Sequence, residues 1–454
     1  MNEQPLDNLP IDEAPIDLFE AAKVVLQMND EGMYTIPATN LYPHQWLWDS
    51  CFVAIGLRHV DVERAQIEIL SLMRGQWANG MMPNMIFNPA RQYRRERDFW
   101  RSWLSTDAPD SVNTSGITQP PMLAEAIVLI GEKLNKAERR SWYKTVFPAL
   151  LRYHQWLYAE RDPHGEGLVL QIHPWETGLD STPPWIHELH EHQLPTWIQI
   201  IKRLNADRFI NLFRRDIKFA PASQRLSTLD ALAFFSVQRR LRRKNYDIKR
   251  VLSHSLFAIE DINFNSIFIR ANRHLQDIAE LLKIKLPEEL LESMQKTESA
   301  FAALWDPYSR QYYSREFVTH RLLKDSSIGT LLPLYAGCIS KERAQELVKM
   351  LEDEHLFGAN FPIPSVPLNS EWFNQHAYWQ GPTWVNMNWL IIDGLKRYGF
   401  DEHATALTES TLEMVRSGGF AEYFSPLDGS PAGADNFSWT AALVIDLLKY
   451  PTKK

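Results

Sequence analysis

Glu138-Arg139-Arg140-Ser141-Trp142-Tyr143-Lys144-Thr145-Val146-Phe147-Pro148-Ala149-Leu150-Leu151-Arg152-Tyr153-His154-Gln155-Trp156-Leu157-Tyr158-Ala159-Glu160 places Trp142, Val146, Leu150, Tyr153 and Leu157 at steps of three and four residues. Side chains at that spacing share one face of a helix. The stretch therefore predicts an amphipathic helix over Glu138–Glu160, stopped by the turn-forming Asp162-Pro163-His164-Gly165. Outward from it, Met122–Leu134 and Trp389–Tyr398 read as helices, and helical spacing recurs after Asp230, Asn272, Pro287, Ser340 and Glu402. Alternation at period two is scarce and short. The fold class expected is all-α.

The connections between these helices are long and rich in Gly, Pro and Trp, as in Pro89–Pro121, His173–Trp185 and Phe357–Trp384. Long loops without regular structure are usually functional or disordered, and so many rings argue against disorder. Helices as scaffold, with aromatic loops at one end, describe a helical toroid whose funnel holds a site.

Composition narrows the function. The chain has 454 residues, enough for a substantial core, and carries 16 Trp, 15 Tyr and 22 Phe. That richness suits a ring-lined site as well as a core. A formal charge of −8 argues against a general nucleic-acid or anionic-membrane binder. The two cysteines, Cys51 and Cys338, make no disulfide framework and no zinc spacing. The first 22 residues hold no Lys or Arg but six acids, unlike a signal peptide. No uncharged apolar run approaches the ~20 residues of a membrane span. A soluble, reduced, cytoplasmic protein is expected.

Leu41-Tyr42-Pro43-His44-Gln45-Trp46-Leu47-Trp48-Asp49-Ser50-Cys51-Phe52 crowds three rings, Tyr42, Trp46 and Trp48, around the carboxylate of Asp49. Flat rings beside a carboxylate suit a sugar, whose C–H faces stack while its hydroxyls bond to the acid. The plainer alternative is a core helix start with Asp49 as cap. Tyr378-Trp379-Gln380-Gly381-Pro382-Thr383-Trp384 and Glu422-Tyr423-Phe424 repeat the composition and favour the sugar. His173-Pro174-Trp175-Glu176-Thr177-Gly178-Leu179-Asp180-Ser181-Thr182-Pro183-Pro184-Trp185 brings two acids and two indoles into one loop. A carboxyl among apolar rings keeps its proton at higher pH, so this segment supplies a candidate general acid. Glu176 bonding to loop backbone and Asp180 capping the next helix are the structural alternatives. Glu422 lies in a Gly- and Pro-bounded segment too short for a helix. It suits a general base holding a water, or a salt bridge with an arginine.

Three other features read more plainly. Arg239-Arg240-Leu241-Arg242-Arg243-Lys244 is the densest basic run; in an acidic chain it suits a solvated helix face in an inserted cap better than nucleic acid. His187 and His190 could share a helix face, but they lack the HExxH spacing and suit a polar surface better than a metal. Arg214-Arg215-Asp216 and Gln224-Arg225 could grip a carboxylate in bidentate fashion or be surface charge. A sugar 2-epimerase would need two histidine bases at the funnel centre, and no ring-flanked histidine pair answers to that. A non-catalytic sugar-binding protein would keep the rings without needing both Asp180 and Glu422.

These segments resemble bacterial enzymes of glycoside hydrolase family 63, and within it those that hydrolyse mannosylglycerate and glucosylglycerate. The resemblance covers most of the chain and is carried by residues 42–52, Thr118-Gln119-Pro120-Pro121, residues 178–185, residues 378–390 and Asn436-Phe437-Ser438-Trp439-Thr440. It implies an (α/α)6 barrel over 1–454 as one catalytic domain, with 202–270 as a cap-like excursion, and an inverting mechanism. It implies Asp180 as general acid and Glu422 as general base. Trp46, Trp48, Asp49, Gln119, Tyr378, Trp379 and Trp384 match positions around the sugar; Tyr42 and Trp175 join them as rings beside the acids. The cap arginines resemble the segment that grips glycerate, with Arg215 foremost because Asp216 could orient it. Two departures stand out: Lys218-Phe219-Ala220 where the group shows His-Val-Asp, and Asn84 where it favours His. The implied substrate is a small α-glucoside or α-mannoside, with no cofactor and no metal.

Overall fold

The computed structural model describes residues 17–39, 41–190, 195–203, 221–253, 255 and 257–449. Helices dominate. α1 (Leu18–Met28), α2 (Leu47–Leu57), α3 (Val62–Met73) and α4 (Arg94–Trp100) are followed by α5 (Leu123–Glu132) and α6 (Lys136–Arg161). α7 (Pro183–Glu188), α8 (Thr196–Arg203), α9 (Thr228–Arg243) and α10 (Ile248–Leu252) lie between these and α11 (Ile262–Leu282). The chain ends with α12 (Glu288–Ala300), α13 (Pro333–Ala336), α14 (Lys341–Glu352), α15 (Val385–Arg397), α16 (Asp401–Gly418) and α17 (Ser438–Leu447).

α6 forms where the periodicity places it. Asn135 caps it, accepting from the Ala137 and Glu138 backbone N–H groups while Glu138 reaches back to Asn135. Its expected stripe from Trp142 to Leu157 is buried. α11 begins ten residues earlier than the sequence suggests. Asn263, Asn265 and Ser266 disguise its first turns as loop, yet all three are buried. Asp261 caps the helix, and the Asn263 and Asn265 amides donate to the carbonyls of Thr177 and Val169 at 2.8 and 2.9 Å.

Burial sorts the helices into two kinds. Every residue of α2 and of α17 is buried, as a helix surrounded by others requires. α3 and α14 bury one stripe each. The inner helices follow one another in contact: α2 on α5, α5 on α11, α11 on α13, α13 on α15, α15 on α17, and α17 back on α2. Each carries a partner outside: α3 on α2, α6 on α5 and α11, α12 on α11, α14 on α13, α16 on α15 and α1 on α17. The α2–α17 contact needs Gly56, where a Cβ would meet the Ala442 carbonyl at 2.4 Å.

The named strands are two-residue ribbons in the loops. β1 (Gln45–Trp46) pairs with β2 (Met85–Ile86) antiparallel. β3 (Ile259–Glu260) pairs with β6 (Arg315–Glu316), β4 (Trp305–Asp306) with β5 (Gln311–Tyr312), and β7 (Tyr423–Phe424) with β8 (Pro431–Ala432). The first and last of these pairs fix the loops that hold Trp46 and Glu422. Among the described residues no helix is long and apolar enough to cross a membrane.

Candidate active site

The loops that enter α2, α5, α15 and α17 at their amino ends, together with the loop before α7, converge on one cavity of about 400 Å³, including its open mouth. Asp49 comes from the first turn of α2, with Trp46 and Trp48 beside it, and Gln119 from the segment before α5. Tyr378 and Trp379 precede α15, Trp439 lies in the first turn of α17, and Glu422 stands beside β7. Tyr42, Gly178, Asp180, Pro37 and Phe437 complete the wall. Of the expected residues, Tyr42, Trp46, Trp48, Asp49, Gln119, Asp180, Tyr378, Trp379 and Glu422 thus share one cavity.

Two expected residues stand elsewhere. Trp384 lies behind the wall, stacked flat on Trp379 with ring centroids 3.8 Å apart. Trp175 does not line the cavity; it packs against Trp100, His173 and Phe234. The short 3₁₀ turn Pro174–Glu176 turns this indole towards the helix α9 that carries Phe234. Arg215 lies outside the described residues, as do Asp216 and Lys218-Phe219-Ala220.

The three acids of the wall sit in different environments. Burial pushes the Asp180 carboxyl up to about 7; the Tyr378 hydroxyl, donating to its Oδ2 at 3.2 Å, and the Arg225 charge oppose the shift. Asp49 is raised well above its usual range, first by burial and further by the charges of Glu422 and Asp180. Among the described residues no side-chain hydrogen bond reaches its carboxyl. Glu422, by contrast with Asp49, is well supplied with hydrogen-bond donors. Tyr42 donates to its Oε1 at 2.6 Å, the Ala434 N–H to Oε2 at 2.9 Å, and Arg225 Nη1 to both oxygens at 3.3 and 3.1 Å. The chain just after β8 leaves no slack here: at Gly433, φ is +78° and a Cβ would stand 2.5 Å from Glu422 Oε2.

Tyr378 holds a left-handed backbone, φ +44°, which costs a bulky residue energy. The Trp384 indole donates to its carbonyl at 3.2 Å, and the Arg225 guanidinium lies 4.7 Å from its ring centre. Arg225 is therefore the cation that joins Tyr378, Tyr42 and Glu422. The sequence shows Arg225 as one of several cap arginines, and nothing local marks it as the partner of a residue 197 positions away.

Glu176 is not in the cavity. It is buried, pairs with Arg161 at 2.8 Å, and accepts the backbone N–H groups of Ile172 and Thr118 at 2.7 and 3.2 Å. Glu176→Ala would leave the Arg161 charge buried and unpaired, a loss of about 3–5 kcal/mol. Thermal or urea unfolding is expected to show that loss; an unchanged midpoint would refute the structural role.

The histidines of the 187–192 segment that are described also have partners. His190 Nε2 lies 2.5 Å from Asp230, and His187 Nδ1 3.4 Å from Asp325. Among the described residues no cluster of three or more His, Cys, Asp or Glu could hold a metal ion. Arg239 and Arg243 of the basic run are exposed on α9, while Leu241 between them is buried. None of the described residues lining the cavity is a histidine, so the arrangement offers carboxyl rather than imidazole chemistry.

The family described as the mannosylglycerate hydrolase MGH1-like glycoside hydrolase domain matches residues 42–440. The chain belongs to this family of glycoside hydrolases. This MGH1-like glycoside hydrolase is 37% identical to the mannosylglycerate hydrolase of Thermus thermophilus over 93% of its own chain and 98% of that relative. It is 32% identical to the glucosylglycerate hydrolase of Mycolicibacterium hassiacum, over 96% and 98% of the two chains. Its fold superposes on the crystal structure of a GH63 mannosylglycerate hydrolase from Thermus thermophilus in complex with Tris and D-glycerate. The TM-score there is 0.85, at 36% identity, covering 95% of this chain and all of that one. Apart from Pro37, every residue that lines the cavity falls within the matched residues.

Proposed function

We propose that this glycoside hydrolase is an inverting α-glycosidase of a small α-mannoside or α-glucoside, with the glycosides of glycerate foremost. The ring of inner helices with its outer partners is read as an (α/α)6 barrel forming one catalytic domain over 1–454. The excursion expected over 202–270 is read as its cap only up to residue 261, because α11, from Ile262, belongs to the inner ring. The observation that carries the mechanism is the contrast between two carboxyls on one cavity: Asp180 holds its proton up to about pH 7, while Glu422 is surrounded by donors. In this mechanism Asp180 gives its proton to the leaving oxygen. Glu422 takes a proton from a water that attacks C1 on the opposite face, so the C1–O bond breaks with inversion. Asp49 and Gln119 take sugar hydroxyls, and Trp46, Trp48 and Trp379 give the C–H faces their walls. Trp384 holds Trp379 in place by stacking.

The test is a panel of α-mannosides and α-glucosides with charged and neutral aglycones, read as free sugar over a range of pH. An acid is useful only while protonated. A carboxyl raised to about 7 therefore makes kcat/KM fall as pH rises through roughly 7, good to about a unit. Asp180→Asn is expected to remove that alkaline fall from the remaining activity. No sugar released from any member, or a rate held level to about pH 9, would contradict the assignment.

A further inference from the structure

The donors around Glu422 leave it little capacity for anything else. An ionised carboxylate offers about four acceptor sites, and four contacts fill them. Tyr42 and one Arg225 contact lie on Oε1, and the Ala434 N–H and the other Arg225 contact on Oε2. A base that must take a proton from water needs one of those sites back. Tyr42 and Ala434 are poor candidates to leave. The Tyr42 ring is wedged edge-on between Trp46 and Phe437, with centroids 6.1 and 5.8 Å away. The Ala434 N–H belongs to the loop that follows β8, whose carbonyl in turn accepts the Glu422 N–H at 2.8 Å.

Arg225 differs from both. Its side chain reaches inward, 7% exposed, from the 221–227 segment, which keeps no residue fully buried. Nη1 serves Glu422 and Nη2 donates to the Tyr42 hydroxyl at 2.6 Å. Nε is buried and has no partner among the described residues. One donor of the guanidinium is thus desolvated and unfilled, which is costly until an acceptor arrives. Arg225 is not itself part of the lining but touches three residues that are, Tyr42, Tyr378 and Glu422. No Lys or Arg is among the described lining residues, so an anion that reaches past them has this cation to turn to.

We propose that Arg225 is a releasable clamp on Glu422: an anionic aglycone draws the guanidinium to itself, frees an acceptor site of Glu422 for the attacking water, and so raises kcat as well as affinity. This rests on the glycosidase assignment above. A carboxylate and Glu422 compete for one positive charge, and side-on binding to Nε would satisfy the unpaired donor while weakening the Arg225–Glu422 contact. A neutral aglycone makes no such demand and leaves the clamp closed. Arg225 is on this account a positioning residue, acting through Glu422, and selectivity for acidic substrates is exercised in the chemical step.

The experiment separates the anion from the leaving group. α-D-Mannosyl fluoride and α-D-glucosyl fluoride carry no aglycone. Water supplies hydroxide to C1, its proton goes to Glu422, and fluoride leaves with the electron pair of the C–F bond. D-Glycerate is titrated into the reaction, with glycerol as the neutral control, and fluoride release is followed. D-Glycerate is expected to raise kcat of the wild type about tenfold or more, out of the about 10²–10⁴-fold available to a general base; glycerol leaves it unchanged. Arg225→Met, whatever its rate without D-glycerate, is expected to gain nothing from the anion. Fluoride release that D-glycerate leaves unchanged or inhibits in the wild type would overturn the clamp, as would equal activation of Arg225→Met. The wild-type titration decides the matter alone if that variant does not fold. No fluoride release under any condition would instead remove the glycosidase assignment and the clamp with it.

Discussion

Asp180→Asn and Glu422→Gln are each expected to lower kcat by about 10²–10⁴-fold, the usual contribution of a positioned acid or base. The two variants should nevertheless differ in stability. Asp180 already keeps its proton to about pH 7, so an amide of the same shape replaces a group that is largely neutral, and unfolding should scarcely change. Glu422 is 2% exposed and paired with Arg225 at 3.1 Å. Its replacement by Gln leaves that guanidinium buried without its counter-charge and turns an NH₂ group towards a donor. A loss of up to about 3–5 kcal/mol is expected, visible as a lower unfolding midpoint in the folded, weakly active protein. Near-normal kcat in either purified variant would refute its assigned role.

The second large effect is expected at Asp49. Its carboxyl is 5% exposed, lies on the cavity wall, and has no side-chain hydrogen bond among the described residues. A buried acid left without such partners is costly unless a ligand provides them, and sugar hydroxyls are the donors this cavity would receive. A hydrogen bond contributes about 0.5–1.5 kcal/mol to a neutral carboxyl and about 1.5–3 kcal/mol to a charged one. Asp49→Ala should therefore lower kcat/KM by roughly 2–150-fold for each hydroxyl bond lost, towards the low end while the carboxyl keeps its proton. Because such bonds often tighten towards the transition state, part of the loss should fall on kcat. A change confined to stability, with kcat/KM intact, would mean that Asp49 serves the start of α2 and not the sugar.

What the sequence discloses here is what neighbouring residues determine together. The burial of α6 follows from a spacing of three and four, and the cavity from rings and acids repeated in separate loops. Distant pairings are hidden. Glu176 and Asp180 lie four positions apart in the same aromatic loop, and nothing in its composition tells them apart. What separates them is Arg161, a charge at the buried end of α6 that takes Glu176 as its partner. Trp175, in the same 3₁₀ turn as Glu176, packs on Trp100, His173 and Phe234 instead of lining the cavity. The hidden start of α11 is similar: buried asparagines read as loop until the carbonyls they satisfy, on Val169 and Thr177, are seen beside them. Trp439, within a segment that carries the family resemblance, lines the cavity with a buried indole N–H lacking a partner among the described residues. Pro37, on the same wall, had no local signal at all.

The central claim is that water, activated by Glu422, attacks the face opposite to the bond that Asp180 helps to break. The stereochemistry of the first product reports this directly. Proton NMR of an α-mannoside or α-glucoside of glycerate, recorded within minutes of adding enzyme and before mutarotation, is predicted to show the β-anomer of the free sugar appearing first. The α-anomer appearing first would contradict the account, because it requires a covalent intermediate and a nucleophile where a water-holding base is proposed.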